Sequence, residues 1–381
     1  MDNCYLSIVV TSRNDDHGGN LIHRTQLFVN GLLEQCRRYR LNAELIMVEW
    51  NPPADKPRLA EVLSWDQKKG PCSVRIIEVP PEIHRRFKYS ERLPLYQMIA
   101  KNVGIRRARG RFVLATNIDI LFSDELMRFL VSRKMRSEYF YRVARYDIPS
   151  NVPGDMPIEE QLDFCRKNVI RINERFDTSV PGVSSKSRPK IPWTWKTWRV
   201  WPITNATRVL LYSFIRRGMP DKLKQRLERI QDRLIPNNLW RYFMLQSPVR
   251  LHTNACGDFT LLAAERWAAL RGHPELEMFS MHLDSLFCYL AHHSGVRERV
   301  LSDPMRIYHI EHGIGSGFTP EGAEVLYKRI DSAGIPRLEH EEMIELAIKM
   351  RRQGRPIMFN SENWGLANDA LPETLVVEAV D

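Results

Sequence analysis

The sequence predicts an α/β protein with a mostly parallel sheet that carries helices on both faces. In the first third of the chain, four short runs rich in Val, Ile and Leu alternate with three stretches of helical character. Each apolar run ends in polar or Pro-containing residues, as strands do where the chain leaves a sheet. Strands separated by helices at these intervals are typical of parallel pairs, because parallel neighbours need a long crossover.

The predicted elements follow one another without a gap. "YLSIVVTS" predicts the first strand, and "LIHRTQLFVNGLLEQCRRY" predicts a helix from its apolar residues at helical spacing. "AELIMVEWNPP" predicts a second strand stopped by two prolines, residues 57–70 a second helix, and "SVRIIEVP" a third strand. "PLYQMIAKNVGIRRARG" predicts a helix for which Gly110 is the expected C-terminal stop, and "RFVLATNID" a fourth strand.

Residues 150–250 break this alternation, and we expect them to form a mainly helical, basic insertion. Between Lys186 and Arg250 there are fifteen Lys or Arg against three acids, so this segment carries +12 and the rest of the chain about −2. Four Trp fall within nine residues of "KSRPKIPWTWKTWRVWP", and an amphipathic helix is predicted to open at Pro220. Such a segment favours contact with an anionic membrane surface, with core packing of the Trp residues as the alternative.

After residue 250 the sequence again shows the apolar spacing of a compact domain. "HTNACGDFTLLAAERWAAL" resumes it, "MHLDSLFCYLAHHSG" predicts a helix and "RIYHIEH" a short strand that ends in histidines. Helices are predicted near 321–332 and 340–353, and the tail from Asn360 is predicted to be mostly loop. The expected divisions of the chain are therefore 1–149, 150–250, 251–320 and 321–381.

Composition places the protein among soluble globular chains. It is 43% hydrophobic and 27% charged, and no stretch reaches the roughly 18 apolar residues that a membrane span needs. The N-terminus has no basic residue before its apolar run, so we expect no signal peptide. Six scattered cysteines without a CxxC pair predict reduced thiols and a cytoplasmic location.

Polar residues cluster where the predicted strands end. "TSRNDD", "EWNPP" and "TNID" follow the first, second and fourth strands. In open α/β sheets ligands bind beyond the carboxyl ends of the strands. A carboxylate there needs water or a cationic partner, and we therefore expect Asp119 to face a ligand crevice.

The order of these motifs resembles that of the GT-A nucleotide-sugar glycosyltransferases, in particular those similar to family 2. The matching stretches are "VVTSRND", "VEWN", "KNVGIRRARGRFVLATNID", "GDFTLLAAERWAALRGHPE" with "HLDSLF", and "YHIEH". They cover roughly residues 4–127 and 251–318. The resemblance implies a GT-A type (Rossmann-like) sheet and transfer of a sugar from a UDP- or GDP-linked donor to a hydroxyl of a glycan or lipid-linked acceptor, as in polysaccharide biosynthesis by hexosyltransferases.

The resemblance also implies a divalent cation, Mn²⁺ or Mg²⁺, that neutralises the leaving diphosphate. Asp119 occupies the second position of the family's Asp-x-Asp, and Asn117 replaces the first, which removes one negative charge. His309 or His312 is the expected imidazole ligand. A helix-capping role is the alternative for this acidic stretch, and it suits Asp124 better than Asp119.

Further site residues follow from the same resemblance. The expected donor-binding residues are Thr11, Arg13, Asn14, Asp15, Glu49, Asn102, Arg106 and Asn117. An inverting reaction needs a base for the acceptor hydroxyl, for which Asp284 is the first candidate and Asp258 the second. A helix N-cap is the alternative for Asp284, and a solvated basic face is the alternative for Arg106.

Two other functions compete with this hypothesis. The basic Trp-rich segment 186–250 would suit nucleic-acid binding, but that function leaves the ordered motifs unexplained. A nucleotidyltransferase would want basic residues in the loop after the first strand, and "TSRNDDHGGN" is too acidic for that. We therefore expect a cytoplasmic glycosyltransferase, peripheral at the inner face of the plasma membrane, rather than a nucleic-acid-binding protein.

Overall fold

The computed structural model describes residues 4–65, 70–175, 177–183, 247–313, 315 and 317–380. The chain divides into two units, one made of Met1–Pro181 with Pro248–Asp381 and the other of Gly182–Ser247. The described strands and helices all belong to the first unit. The predicted helix at Pro220 and the Trp-rich stretch lie outside the described residues.

Two sheets organise this unit, and their strands are numbered in chain order. The strands are β1 Leu6–Ser12, β2 Ala43–Trp50, β3 Cys72–Val79, β4 Phe112–Ala115, β5 Ile120–Phe122, β6 Tyr139–Arg142, β7 Ala144–Ile148, β8 Arg171–Asn173, β9 Thr178–Ser179, β10 Thr260–Ala263, β11 Arg297–Val300, β12 Arg306–Ile310 and β13 Glu373–Val377. The larger sheet has the order β11-β6-β10-β4-β1-β2-β3-β13 and the smaller one β5-β12-β7-β8-β9.

The described helices, numbered in the same way, cover both faces of the larger sheet. They are α1 Leu21–Tyr39, α2 Leu59–Val62, α3 Pro81–His84, α4 Gln97–Arg106, α5 Asp124–Val131, α6 Ile158–Lys167, α7 Ala264–Leu270, α8 Leu283–His293, α9 Ala323–Ser332 and α10 His340–Gln353. Among these described helices none is long and apolar enough to cross a bilayer.

The predicted α/β fold class is confirmed. The central strands β3, β2, β1 and β4 are all parallel, and β10 and β13 join antiparallel on either side of them. Val9 and Val48 pack with α4 on one face of the sheet, whereas Ile8 and Met47 pack with α1 on the other. Side chains alternate between the faces of a strand, so each central strand contributes to two cores.

Several predicted details differ from the structure. The helix predicted over 57–70 is limited among the described residues to α2. The tail predicted as loop contains β13, which pairs antiparallel with β3. Residue 150, the expected boundary, lies between two paired strands of the smaller sheet, because β7 before it pairs with β8 after it. All six cysteines lie among the described residues and are free thiols.

Gly110 is not the stop signal of the preceding helix. The helix α4 ends at Arg106, and a Cβ on Gly110 would lie 2.5 Å from the backbone nitrogen of Ser7. Its N–H donates to the Ser7 hydroxyl at 2.8 Å. Gly110 is needed because β1 and the segment leading into β4 approach too closely for any side chain.

Candidate metal and donor site

Asp119 lies in the turn between β4 and β5, where the larger sheet meets the smaller one. It is buried, and its backbone carbonyl accepts the N–H of Ile310 at 2.9 Å. Its Oδ2 lies 2.9 Å from Arg24 Nη1, 3.4 Å from His312 Nε2 and 3.9 Å from His309 Nε2. Its Oδ1 is buried without a hydrogen-bond partner among the described residues. Of the two partners expected for this carboxylate, water or a cation, the structure shows a cation, Arg24.

His309 is oriented by a second carboxylate. It lies on β12 beside Asp147 of the parallel neighbour β7, and its Nδ1 is 3.2 Å from Asp147 Oδ1. With Nδ1 turned to that carboxylate, Nε2 faces Asp119. A ring nitrogen fixed by a carboxylate is the usual arrangement of a metal-binding histidine, because it sets the tautomer and the ring orientation.

Asp147 is fully buried and is surrounded by positive charge. Its oxygens lie 2.8 Å from Arg145 Nε and 2.9 Å from both Arg171 Nη1 and Asn173 Nδ2. Burial opposes its ionisation, but His309, Arg145 and Asn173 outweigh burial and hold the pKa of this carboxyl well below its ordinary value. Asp147 is therefore an anion that contacts Nδ1 of His309, the ring nitrogen that does not face Asp119.

His312 follows β12 in the loop that begins at Glu311. Burial lowers its pKa to about 4, against the opposing charge of Asp119 and with help from His309 and Arg24. A Cβ on Gly18 would lie 2.8 Å from His312 Nδ1, and Gly313 N–H donates to the Gly18 carbonyl at 2.8 Å. The loop after β1 therefore packs directly on the loop after β12.

These residues could hold a divalent cation. One ligand atom each from Asp119, His309 and His312 lies within 4.8 Å of the others. The buried Oδ1 of Asp119, which has no hydrogen-bond partner in the described part of the chain, is the kind of atom that an ion would satisfy. A carboxylate with two imidazoles suits Mn²⁺ and other first-row transition ions better than Mg²⁺, which prefers oxygen ligands.

A second group, Asp147 with His309 and Glu311, also meets this spacing. Arg171 already lies between its carboxylates, with Nη1 2.9 Å from Asp147 Oδ2 and 2.7 Å from Glu311 Oε1. A guanidinium that bridges both carboxylates supplies the positive charge that an ion would bring. Arg24, by contrast, contacts one oxygen of Asp119 and leaves Oδ1 without a partner among the described residues. We therefore assign the metal-binding capacity to the Asp119 group.

Asn117 and Asp119 do not face the same partners, although the strand predicted over "RFVLATNID" would put both on one side. The triplet is a turn, so the two side chains diverge. Asn117 donates from Nδ2 to Asp258 Oδ1 and accepts from Gln97 Nε2 at 3.1 Å. Asn117 belongs to the surroundings of Asp258, and nothing in its contacts places it beside the metal group.

Asp258 is held on both of its oxygens. Asn117 binds Oδ1, and Arg145 Nη1 lies 2.6 Å from Oδ2. Burial opposes ionisation, but Arg145, His309 and Lys101 together lower the pKa of Asp258 below its ordinary value. A carboxylate stabilised in this way is a weak proton acceptor, which argues against the expected role of second candidate base.

Asp284 is the second residue of α8, and it is not the N-cap, which is His282. Its Oδ1 accepts the N–H of Ser285 at 2.7 Å, and a Cβ on Gly257 would lie 2.9 Å from its Oδ2. The fully buried Lys101 donates from Nζ to the carbonyl of the same Gly257 at 2.7 Å. The half-buried Asp284 is thus the less constrained of the two candidate bases.

The expected donor-binding residues at the end of β1 lie together. Thr11 Oγ1 donates to the Val48 carbonyl at 3.2 Å, and Asn14 Nδ2 donates to the Pro57 carbonyl at 2.9 Å. Arg13 spans the gap to the next strand end, since its Nε donates to the Asn51 carbonyl and its Nη1 pairs with Asp15, both at 2.7 Å. These contacts form a polar rim across the ends of β1 and β2.

Glu49 is buried at the end of β2. Both of its oxygens accept the N–H of Leu59 at 3.1 Å. Burial raises its pKa to about 7, although the Leu59 N–H and Arg58 act in the opposite direction. Near neutral pH this side chain therefore changes between a carboxylic acid and a carboxylate.

Asn102 and Arg106 are not brought into this group. Asn102 is fully buried, where it donates to the His273 carbonyl and accepts the His273 N–H, both at 2.8 Å. Arg106 donates to the Glu362 and Trp364 carbonyls and lies over the Trp364 ring. Their contacts hold the loop after α7 and the C-terminal segment.

Sequence reasoning missed four charged residues of the site, namely Arg24, Lys101, Arg145 and Asp147. Arg24 lies three residues after Leu21 and four before Phe28, and so stands within the apolar stripe of α1. Lys101 stands in the same relation to Met98 and Ile105 on α4. A charge inside an apolar stripe is a usable signal of a buried ionic contact, because such a charge is rarely buried unpaired.

Glu49 gives a prediction about stability and pH. Because its folded pKa of about 7 exceeds the ordinary 4.5, the folded state holds the extra proton between these values. Its contribution to stability is therefore complete below about pH 4.5 and is lost as the pH rises through 7, a loss of at most about 3 kcal/mol. Glu49→Gln should flatten the fall in unfolding free energy between pH 5 and 8, measured by urea titration. Parallel profiles for the two proteins would refute the assignment.

Comparison with known proteins gives structural overlap without a family. No protein-family model matches the chain, and no curated protein matches it in sequence. Crystal structures of S. aureus TarS 1-349 overlap it with TM-scores of 0.38 for the complex with UDP-GlcNAc, 0.36 for the complex with UDP and 0.37 for TarS 1-349 alone. Identity is 12 to 13%, and the overlap covers 86 to 92% of this chain.

The overlap covers 65% of each TarS chain in the two complexes and 71% of TarS 1-349 alone. A longer TarS structure overlaps with a TM-score of 0.35 over 39% of its length. This chain therefore spans less than two thirds of three of these four TarS structures. Overlap and identity at this level establish no family for the chain.

Proposed function

We propose that the protein is a metal-dependent glycosyltransferase that moves a sugar from a nucleoside-diphosphate sugar, UDP- or GDP-linked, to a hydroxyl. The observation that carries the proposal is the group Asp119, His309 and His312, whose ligand atoms lie within 4.8 Å of one another. The group lies at the sheet edge where the parallel strands end, and the loop after β1 packs on His312. Parallel sheets bind ligands at this edge.

The residues divide the task between the nucleoside and the diphosphate. The polar rim of Thr11, Arg13, Asn14 and Asp15 and the carboxyl of Glu49 would receive the nucleoside. Gly18 and Gly19 adopt positive φ angles of 76° and 78°, so their backbone can approach a phosphate closely. Asp119, His309 and His312 would hold a divalent cation, which would supply positive charge opposite the leaving diphosphate.

Asp284 is the group that we propose as the base in an inverting reaction. It is half-buried, and its Oδ1 accepts a hydrogen bond from the backbone N–H of Ser285. Asp258 is already neutralised by Arg145 and Asn117. A base must be free to accept the acceptor's proton as the hydroxyl attacks, and this favours Asp284.

The metal and the nucleotide can be tested together by thermal shift. UDP, GDP, CDP, ADP and UDP-GlcNAc are each added with and without Mn²⁺. One family of nucleoside diphosphate should raise Tm by about 3 °C or more at a hundredfold excess over Kd, and only with the metal. Asp119→Asn should abolish that shift, because it removes the charge of the carboxylate but keeps its shape. Asp163→Asn, on the partly exposed surface of α6, is the matched control. A shift that survives Asp119→Asn would rule out the site.

Asp284→Asn should lower kcat by at least about a hundredfold with little change in donor affinity, since a base acts mainly in the transition state. Steady-state turnover and equilibrium binding of the nucleoside diphosphate measure the two effects separately. Loss of donor binding, or loss of the cooperative thermal transition, would instead indicate a structural role at the start of α8.

The acceptor that we propose is a glycan or a lipid-linked intermediate at an anionic membrane surface. This part rests on the basic, Trp-containing sequence between Lys186 and Arg250, most of which lies outside the described residues. Co-sedimentation with vesicles should require anionic lipid and should weaken with salt. Equal recovery in the supernatant at every lipid composition would exclude the membrane as a partner.

A further inference from the structure

Arg24 is a buried cation whose three nitrogens all have partners at the candidate site. It lies in the first turn of α1 and is 3% exposed. Nη1 donates to Asp119 Oδ2 at 2.9 Å, Nη2 to the His17 carbonyl at 2.6 Å and Nε to the Gly19 carbonyl at 3.2 Å. One side chain thus joins the candidate metal carboxylate to the loop that follows β1.

That loop is held on its other side as well. Gly313 N–H donates to the Gly18 carbonyl at 2.8 Å, and the Leu21 N–H donates to Asp16 Oδ1 at 3.0 Å. Arg24 therefore holds the His17 and Gly19 carbonyls, and the Gly313 N–H holds the Gly18 carbonyl between them. The His17 N–H donates to Asp15 Oδ1 and the Gly19 N–H to the Asp16 carbonyl. Among the described residues this leaves the Gly18 N–H as the loop's candidate phosphate donor, and its direction depends on these contacts.

Arg24 also sets the electrostatics of Asp119. A guanidinium 2.9 Å from Oδ2 partly neutralises the carboxylate and repels a divalent cation at the same oxygen. A diphosphate brings negative charge to the same place and offsets that repulsion. The same contact therefore disfavours an ion alone and favours an ion accompanied by a diphosphate.

We propose that Arg24 is a positioning residue that couples Asp119 to the loop His17–Gly19, so that metal and nucleoside diphosphate bind cooperatively and metal alone binds weakly. This inference rests on the proposed function, since it assumes that both ligands bind here. Arg24 acts through Asp119 and through the loop backbone. A purely structural ion pair would instead support all binding equally, and its removal would weaken metal and nucleotide together.

The experiment compares Arg24→Gln and Arg24→Lys with a matched control, Arg38→Gln. Arg38 lies on the same helix and pairs with Glu34 and Glu159. Free Mn²⁺ is titrated by electron paramagnetic resonance in the absence of nucleotide. The nucleoside diphosphate that gives the largest metal-dependent rise in Tm is then titrated by calorimetry at saturating Mn²⁺. Neither readout depends on turnover.

The two variants separate charge from geometry. Arg24→Gln should bind Mn²⁺ alone roughly tenfold more tightly, because the repelling charge is gone, and should bind the diphosphate at least about tenfold more weakly. Arg24→Lys keeps the charge, so its affinity for Mn²⁺ alone should stay near that of the wild type. Its diphosphate affinity should still fall, because an ammonium cannot span a carboxylate and two carbonyls as a guanidinium does. Arg38→Gln should behave as the wild type.

Parallel weakening of both ligands in Arg24→Gln, or an unchanged Mn²⁺ affinity, would overturn the coupling while leaving the proposed function intact. A wild type that binds neither Mn²⁺ nor any nucleoside diphosphate would overturn both. If Arg24→Gln fails to fold, Arg24→Lys decides the question, since unchanged diphosphate affinity in that variant would contradict a role for the guanidinium.

Discussion

The ionic contacts of Asp147 are the constraint on which the candidate site depends. This carboxylate is fully buried, with Arg145 Nε and His309 Nδ1 at its Oδ1 and Arg171 at its Oδ2. A buried anion without these partners would cost several kcal/mol, and an unpaired arginine would cost a similar amount. The group is therefore stable only when all its members are present, and His309 takes its orientation from that requirement.

Arg145 extends the same network to the other side of the crevice. Its Nε contacts Asp147 and its Nη1 contacts Asp258, which in turn receives Asn117. Burial alone would lower the pKa of Arg145, but the two carboxylates outweigh burial and keep it charged. Arg145 thus contacts Asp258 directly and reaches His309 through Asp147. Ionic contacts, rather than loop packing, therefore set the relative position of Asp258 and His309.

The fold was accessible from sequence because periodicity reports burial directly. The alternation of β1 to β4 with helices, the helices α8, α9 and α10, and the strand β12 all follow from apolar spacing. The ionic network was not accessible, because Arg145, Asp147 and Arg171 become partners only through the pairing of β7 with β8 and β12. Asn117 was misplaced for a related reason, since a strand was assumed where the chain forms a turn. The proximity of Asp119 and the two histidines could be anticipated from ordered motifs. The place of Arg24 in the apolar stripe of α1 signals a buried charge but not its partner, which lies 95 residues away.

The pairing of β13 with β3 has a consequence for how the protein is made. Arg75 on β3 and Glu373 on β13 are 298 positions apart, and they are joined by an ion pair at 2.8 Å across this edge. The ribosome adds β13 about 300 residues after β3, so the hydrogen-bonding edge of β3 stays open over that interval. Open edges recruit strands from other chains. Until β13 is made and pairs with β3, the nascent chain therefore exposes an edge on which strands of other chains can pair.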